Sequence, residues 1–480
     1  MDCRLTCLST AERDLVIESA LGILERVGMR MTGARALVAL EERGAQVDWE
    51  TGIVRLREDL VRSALDTLPD KLFMAGATPA QDVVLDRSSG PFFNSTGCMA
   101  KTLDFRTGAV RPSTLQDLRE GTMVMDATPE LDIVWTFASA NDVPIERREL
   151  VDYHTFLTNT SKPLVCVDCP TEVEAVKRIM DILGDGMDGY RRRPRLSLLC
   201  AARAPLEVNG DLLNVACEFA ALGTPIWTFT MPIAGATGPV TIAGTLAVMW
   251  AETLGLVTAI QAAAPGAAIL ACCGPGILDM RTASMSLGCL ENTLMGVASV
   301  DIGHHLGLPV HNSGLATDAK YPGLQAGYEK GLRALPAALA GADIVSAGFG
   351  ALDTSALFHL PMVPIDAEIA AMVKRLAAGA EISQETIMID VIERLGVGGN
   401  YLKEKITRDR IRAGEHFHPT IGNRLPYKQW AAEGLMETDV ARDIVERTLA
   451  EREEQARAGW SADLTPDQVE ALAEACGVAH

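Results

Sequence analysis

Apolar residues in this chain fall into two rhythms. Residues 10–47 carry a helical rhythm, with Leu15, Ala20, Ile23, Leu24 and Val27 on one face and a second run from Ala34 to Leu40. Ser9 or Thr10 is placed to cap the first helix. Ile53–Leu56 predicts a short strand, with a helix after it that ends before Pro69. From there the pattern changes to short, nearly continuous apolar runs that end in small or polar residues. They are Phe92–Cys98, Asp132–Ala140, Pro163–Cys169, Arg195–Ala202, Pro225–Pro232, Ala267–Gly274, Leu308–Gly314 and Asp343–Gly350. A strand buried on both faces reads this way. Helix-compatible segments separate them: Thr114–Asp126, Glu146–Thr158, Glu172–Leu183, Asn209–Leu222, Val240–Ala263, Ala283–Leu306 and Leu324–Ala340.

Eight strand–helix units in succession imply parallel pairing with right-handed crossovers. Eight is also the number that closes a barrel. The expected fold is therefore α/β, a (β/α)8 TIM barrel over 89–360. Residues 1–88 form an N-terminal appendage of helices and short strands, and 361–480 a helical C-terminal extension. Within the extension, Asp366–Ala378, Ser383–Leu395 and Asp439–Ala456 read as helices, and Pro466 opens a last short one. A doubly wound open sheet is the rival, and the missing Gly-rich dinucleotide fingerprint argues against it.

Composition narrows the function. The chain has 480 residues, 48% of them hydrophobic, and a formal charge of -20. That charge repels phosphate backbones and disfavours nucleic acid as a partner. No uncharged apolar run is long enough to predict a membrane span, and the start of the chain lacks an apolar signal core, so a cytoplasmic protein is expected. The 11 cysteines are odd in number and sit in apolar segments, as reduced buried thiols do. Cys166 and Cys169 form a CxxC with no second pair to complete a zinc set. Cys272 and Cys273 read as a strand end. His304-His305 lies at a helix end, and His416 and His418 have no ligand partners at metal spacing, so no bound metal is expected.

In a parallel barrel, chemistry sits where the strands end. Those ends offer Asn94, Ser95 and Thr96, then Ser139 and Asn141, Asp168, Arg203, Met231, Cys273, His311, Asn312 and Ser313, and finally Phe349 and Gly350. Amides, hydroxyls and small residues outnumber acids and bases, which suits a small organic ligand. Three stretches stand out. Residues 231–241 combine Met231, a glycine-rich turn and the Thr237 hydroxyl. Residues 311–329 gather Asp318, Lys320, Tyr321, Gln325, Tyr328 and Glu329, with Gln325 and Glu329 one helical turn apart. Carboxylates beside aromatic rings suit a quaternary ammonium cation. Residues 347–354 bring glycines to the exit of the eighth strand.

These stretches carry a resemblance. The segments at 102–112, 232–241, 275–282 and 317–329, with Ile365–Ile369, resemble the trimethylamine methyltransferase family over nearly the whole chain. The resemblance implies a barrel that moves a methyl group from an amine to the cobalt of a corrinoid. The corrinoid would be free or carried by a partner protein. Only standard residues occur in this chain, so it resembles the branch without pyrrolysine, which uses quaternary amines such as glycine betaine. Where the family commonly shows Gly-Gly-His-Phe-Leu, this chain reads Gly398-Gly399-Asn400-Tyr401-Leu402. The expected site places Asp318, Gln325 and Glu329 as its catalytic frame. His311, Asn312, Tyr321, Phe349, Gly348, Thr237 and Met231 would bind substrate. The rival readings are a barrel lyase or hydrolase for a betaine-like compound and a non-catalytic binding protein. Self-association is a general expectation for a large acidic protein.

Overall fold

The computed structural model describes residues 4–97, 99–166, 170–346 and 348–478. Cys98, Asp168, Cys169 and Ala347, all marked out in the sequence, lie outside the described residues.

The fold is mixed α/β. Eight strands run through its centre: β1 (Phe92–Phe93), β2 (Val134–Trp135), β3 (Leu164–Cys166), β4 (Leu196–Arg203), β5 (Ile226–Thr230), β6 (Ile269–Cys273), β7 (Val310–Asn312) and β8 (Ile344–Val345). Parallel pairing links β2 to β3, β3 to β4, and so on in chain order to β8, which pairs with β1. A parallel bridge between Asn94 and Ile133 returns the path to β2. Seven long helices fall between these strands among the described residues: α1 (Leu115–Asp126), α2 (Ile145–Asn159), α3 (Val173–Gly184), α4 (Gly210–Ala221), α5 (Ile242–Ala263), α6 (Leu290–His305) and α7 (Leu324–Leu339), with a short helix, Met187–Arg192, between α3 and β4. An eighth, α8 (Met362–Ala377), follows β8.

Alternation along the strands sorts their side chains into two cores. Phe93, Val134, Leu164, Leu198, Ile226, Ala271, Val310 and Val345 join the cluster that contains the helices' apolar faces. Ile133, Trp135, Val165, Leu199, Trp227, Leu270, Cys272 and Ile344 form a second cluster on the other, inner face. A hairpin of Leu72–Met74 and Val83–Leu85 contributes four more residues to this inner core. This division explains why the strands read as continuously apolar, since neither face meets water.

Local chemistry sets the helix ends. Thr114 and Asp117 form a capping box at α1, and the Thr241 side chain caps α5. Helix α5 is apolar all round because it is covered on both sides. The N-terminal helices Thr10–Arg26, Ala34–Glu42 and Glu58–Leu65 pack on it from outside. Among the described residues it is the one helix long and apolar enough to cross a membrane, and 78% of that window is buried within the protein. The N-terminal part is also tied in by backbone: Met29–Met31 pairs in parallel with Glu207–Val208, which pairs back on β4. Helix Glu437–Arg457 packs on α1 and α8, and Pro466–Ala475 packs on α3.

Two expected helices differ from those observed. Ala283–Leu306 opens instead with a hairpin, Gly276–Asp279 against Ser284–Ser286, and the helix starts only at Leu290. Ser383–Leu395 is two short helices, because Met388 takes a left-handed conformation with φ 53°. The strand runs also stop earlier than expected, their last residues serving as loops.

Candidate active site

The inner face carries an aromatic cluster: Trp135 ends β2, His311 lies in β7, Phe229 is next to the last residue of β5, and Trp227 lies near the amino end of β5. The Trp135 ring lies 5.5 Å from Trp227, 6.3 Å from Phe229 and 5.7 Å from His311, in edge-on contacts. Trp227 and His311 are 5.6 Å apart. Phe229 is only half-buried although Thr228 and Thr230 beside it are fully buried. Gly274 makes this possible, since a Cβ there would lie 3.1 Å from the Phe229 ring and 3.8 Å from Met231 Cγ. Met231 in turn packs with Leu287 and Ala316.

Several polar atoms of this inner layer are left without partners among the described residues. Asn94 Nδ2 and Oδ1, Trp135 Nε1, Trp227 Nε1 and His311 Nε2 are buried and have no hydrogen-bond partner among the described residues. Each such atom costs about 1–3 kcal/mol unless something satisfies it. Buried unsatisfied groups call for an explanation, and a bound ligand is one that would satisfy them. His311 Nδ1 lies 3.2 Å from Cys272 Sγ. Burial pushes the His311 pKa down to about 3 and the Cys272 thiol well up. Both groups are therefore neutral at pH 7, and the pair is not an activated nucleophile.

Asp318, Gln325 and Glu329 do come together, as a knot of satisfied hydrogen bonds. The Asp318 carboxylate accepts from Leu287 N (3.1 Å), Gly288 N (3.0 Å), Thr354 Oγ1 (2.9 Å) and the Ser286 hydroxyl. Burial raises its pKa, but these donors outweigh burial and hold it below the usual carboxylate range. Glu329 accepts from Thr317 Oγ1 (2.6 Å), Asp318 N (2.8 Å) and Gln325 Nε2 (2.8 Å). The knot joins the hairpin after β6, the loop after β7 and the loop after β8. Below it the buried Arg333 donates to the carbonyls of Ala316 and Ser313 and to the Asn292 amide oxygen. These residues position loops, and their lone pairs are already engaged.

The remaining expected site residues scatter. Tyr321 and Tyr328 are exposed on the outer surface. Asn312 faces the helices, where a Cβ on Gly296 would lie 2.4 Å from its amide nitrogen. Phe349 packs edge-on against Phe93, 6.4 Å away, within the helix-side core. Thr237 Oγ1 accepts from Ile233 N at 2.9 Å and closes its own turn. Gly348 lies against Leu315, and its carbonyl accepts from Lys330. Only His311 and Met231 border the aromatic cluster. Trp135, Trp227 and Phe229 were not singled out from the sequence. Their signal was there: each occupies an inward position of a strand by the two-residue alternation, in a chain with few aromatic residues.

No group of three or more His, Cys, Asp or Glu side chains is placed to hold a metal ion among the described residues.

Comparison with known proteins places this architecture. Among solved structures, the hydroxylamine MtmB complex superposes with a TM-score of 0.56 at 13% identity, covering 95% of this chain and 89% of that one. The Methanosarcina barkeri monomethylamine methyltransferase gives 0.52 at 13% identity, over 93% and 98%. Trimethylamine methyltransferase MttB of Desulfitobacterium hafniense (strain DSM 10664 / DCB-2) is 28% identical over 448 residues, 93% of this chain and 88% of its own. The glycine betaine methyltransferase of Desulfitobacterium hafniense (strain Y51) is 28% identical over 420 residues, 87% of each chain. The family model for trimethylamine methyltransferase (MTTB) matches residues 2–473. This chain belongs to the trimethylamine methyltransferase family.

Proposed function

We propose that this protein moves one methyl group from a small quaternary amine to the Co(I) of a corrinoid, free or carried by a partner protein. In this reading the chain is a (β/α)8 barrel over 89–360, flanked by the appendage 1–88 and the extension 361–480, and it belongs to the branch without pyrrolysine. The parallel pairing that returns from β8 to β1 and β2 supports the barrel. The likeness to a glycine betaine methyltransferase supports the substrate class.

The observation that carries the proposal is the cluster of Trp135, Trp227 and Phe229 beside a neutral His311. A quaternary ammonium cannot donate a hydrogen bond, so a protein holds it by ring faces and by excluding water. Such cation–π contacts contribute about 2 kcal/mol when desolvated. The methyl carbon exchanges its bond to nitrogen for one to the acceptor, and the electron pair stays on nitrogen as a neutral tertiary amine. No proton has to move. A site whose histidine is uncharged and whose nearby carboxylates are tied up in loop hydrogen bonds is consistent with that chemistry. The task left to the protein is alignment and dryness. Asn94 and the indole N–H groups would meet a polar end of the substrate.

Reduced cobalamin and a panel of betaines, incubated with the protein, test the proposal. The expected products are methylated cobalamin and an amine short of one methyl group. If an amine binds by calorimetry yet keeps all its methyl groups with a corrinoid protein also supplied, the chain is a binding protein and the proposal fails.

A further inference from the structure

Among the described residues, Asn94 is the least satisfied side chain of the inner layer. β1 ends at Phe93, and the two-residue alternation turns Asn94 to the same inner face as Phe92. Its bridge to Ile133 sets it beside β2, one inward position, about 7 Å, before Trp135. The residue is fully buried, and neither its amide nitrogen nor its amide oxygen has a partner among the described residues. The hydroxyls next to it are already committed. Ser95 Oγ donates to the Trp135 carbonyl at 2.9 Å and accepts from Trp135 N at 2.8 Å. Ser346 Oγ donates to the Ser95 carbonyl at 3.3 Å. A leucine would fill much the same space without leaving a donor and an acceptor stranded, at about 1–3 kcal/mol for each.

Charge supplies a second, independent observation. Of the side chains that β1 to β8 carry inward among the described residues, Arg203 is the one cation, and its guanidinium is 84% exposed and pairs with Glu207 at 2.6 Å. His311 beside the rings is neutral. A carboxylate drawn into this layer would meet no cationic side chain there, and burying a charge without a partner is costly. A carboxylate also only accepts, so it can engage the Asn94 nitrogen but leaves the Asn94 oxygen without a donor. A carboxamide, with donor and acceptor side by side, meets both ends of the Asn94 amide, and a hydroxyl can donate to its oxygen. We propose that Asn94 selects a quaternary ammonium whose other end is a neutral group that donates as well as accepts, in preference to one that ends in a carboxylate. The inference rests on the reading of the aromatic cluster as the amine site, and it narrows the substrate class within that reading. Trp135, Trp227 and Phe229 hold the methylated nitrogen, and Asn94 reads the far end.

Calorimetry with the full chain tests this on trimethylammonium compounds that differ only at the other end: glycine betaine, its primary carboxamide, (2-hydroxyethyl)trimethylammonium and ethyltrimethylammonium. The tighter of the carboxamide and the hydroxyl compound should bind about tenfold or more better than both glycine betaine and the ethyl compound, equivalent to about 1.4 kcal/mol. In Asn94→Leu that lead over the ethyl compound should shrink to about threefold or less, while the ethyl compound itself binds as before. Glycine betaine binding tightest overturns the inference, as does a lead that survives in Asn94→Leu, or no binding of any of these compounds. Methyl transfer to reduced cobalamin, followed in parallel, judges the underlying reading separately. If the favoured compound binds but keeps all its methyl groups, selection by Asn94 stands and the methyltransferase reading falls. If glycine betaine is favoured and loses a methyl group, the reading stands and the selection falls.

Discussion

Lys330 Nζ lies 2.7 Å from Asp366 Oδ1, and both side chains are fully buried. Lys330 also donates to the Gly348 carbonyl at 2.8 Å, and Asp366 accepts from Gly350 N at 2.9 Å. The pair thus fastens the loop that follows β8. Burial opposes both charges, pushing the Asp366 pKa up to about 6 and that of Lys330 down, while their attraction works the other way. Removing one partner strands the other. Lys330→Met should cost about 3–5 kcal/mol in urea unfolding, and adding Asp366→Leu should recover part of it. A single variant within 1 kcal/mol of the parent, in that same measurement, would show that the pair holds little.

Asp318→Asn keeps the shape of the loop knot and removes the charge that four donors converge on. About 1–3 kcal/mol of stability should go with it. Because the folded pKa lies below the ordinary value, the carboxylate's stabilisation is present above about pH 4 and is lost as pH falls below it. The variant's melting temperature should lack that acid slope. An unchanged slope would assign acid sensitivity to other groups.

Trp135→Leu and Phe229→Leu remove ring faces from the inner cluster. Each should weaken binding of the quaternary amine substrate by about 10- to 30-fold in calorimetry. A neutral analogue with a tert-butyl group should lose much less, since only the cation senses the ring quadrupole. Equal losses for the two ligands would point to shape alone.

His311 stays neutral at every ordinary pH, its pKa held at about 3 by burial. Its imidazole NMR signals should not titrate between about pH 5 and 8, where an unperturbed histidine does. Activity should accordingly show no acid limb belonging to this residue. A titration near pH 6.5 would mean that the ring is hydrated, and the dry aromatic pocket would go with it.

Glu252, buried in α5, accepts from Leu206 N at 2.8 Å, and its pKa is pushed up to about 7 by burial. A folded pKa above the unfolded one means the folded state binds the proton more tightly. Stability is therefore highest below about pH 4.5 on this account and falls as pH rises through 7. Glu252→Gln should remove the slope and raise stability at pH 8 by up to about 3 kcal/mol, at 1.4 kcal/mol per unit. Chemical denaturation of the pair at pH 5 and pH 8 checks it, and parallel pH curves would refute it.

Much of the architecture is local and so was legible along the chain. The helix rhythm of 10–26 with its Ser9 cap and the near-continuous apolar strand runs depend on neighbours a few residues away. The motifs of 232–241 and 317–329 likewise pointed to the family. The tertiary structure decided what those residues do. Which side of a strand faces inward follows from its pairing with two other strands, and a shift of one residue inverts it. That is why Trp135, Trp227 and Phe229 became the cluster while Asn312 turned to the helices. A carboxylate's role depends on its donors, and those of Asp318 arrive from residues 286–288 and 354, remote in sequence. Tyr321 and Tyr328 had the right chemistry beside the right carboxylates, but the loop before α7 leaves Tyr321 exposed and the packing of α7 turns Tyr328 outward.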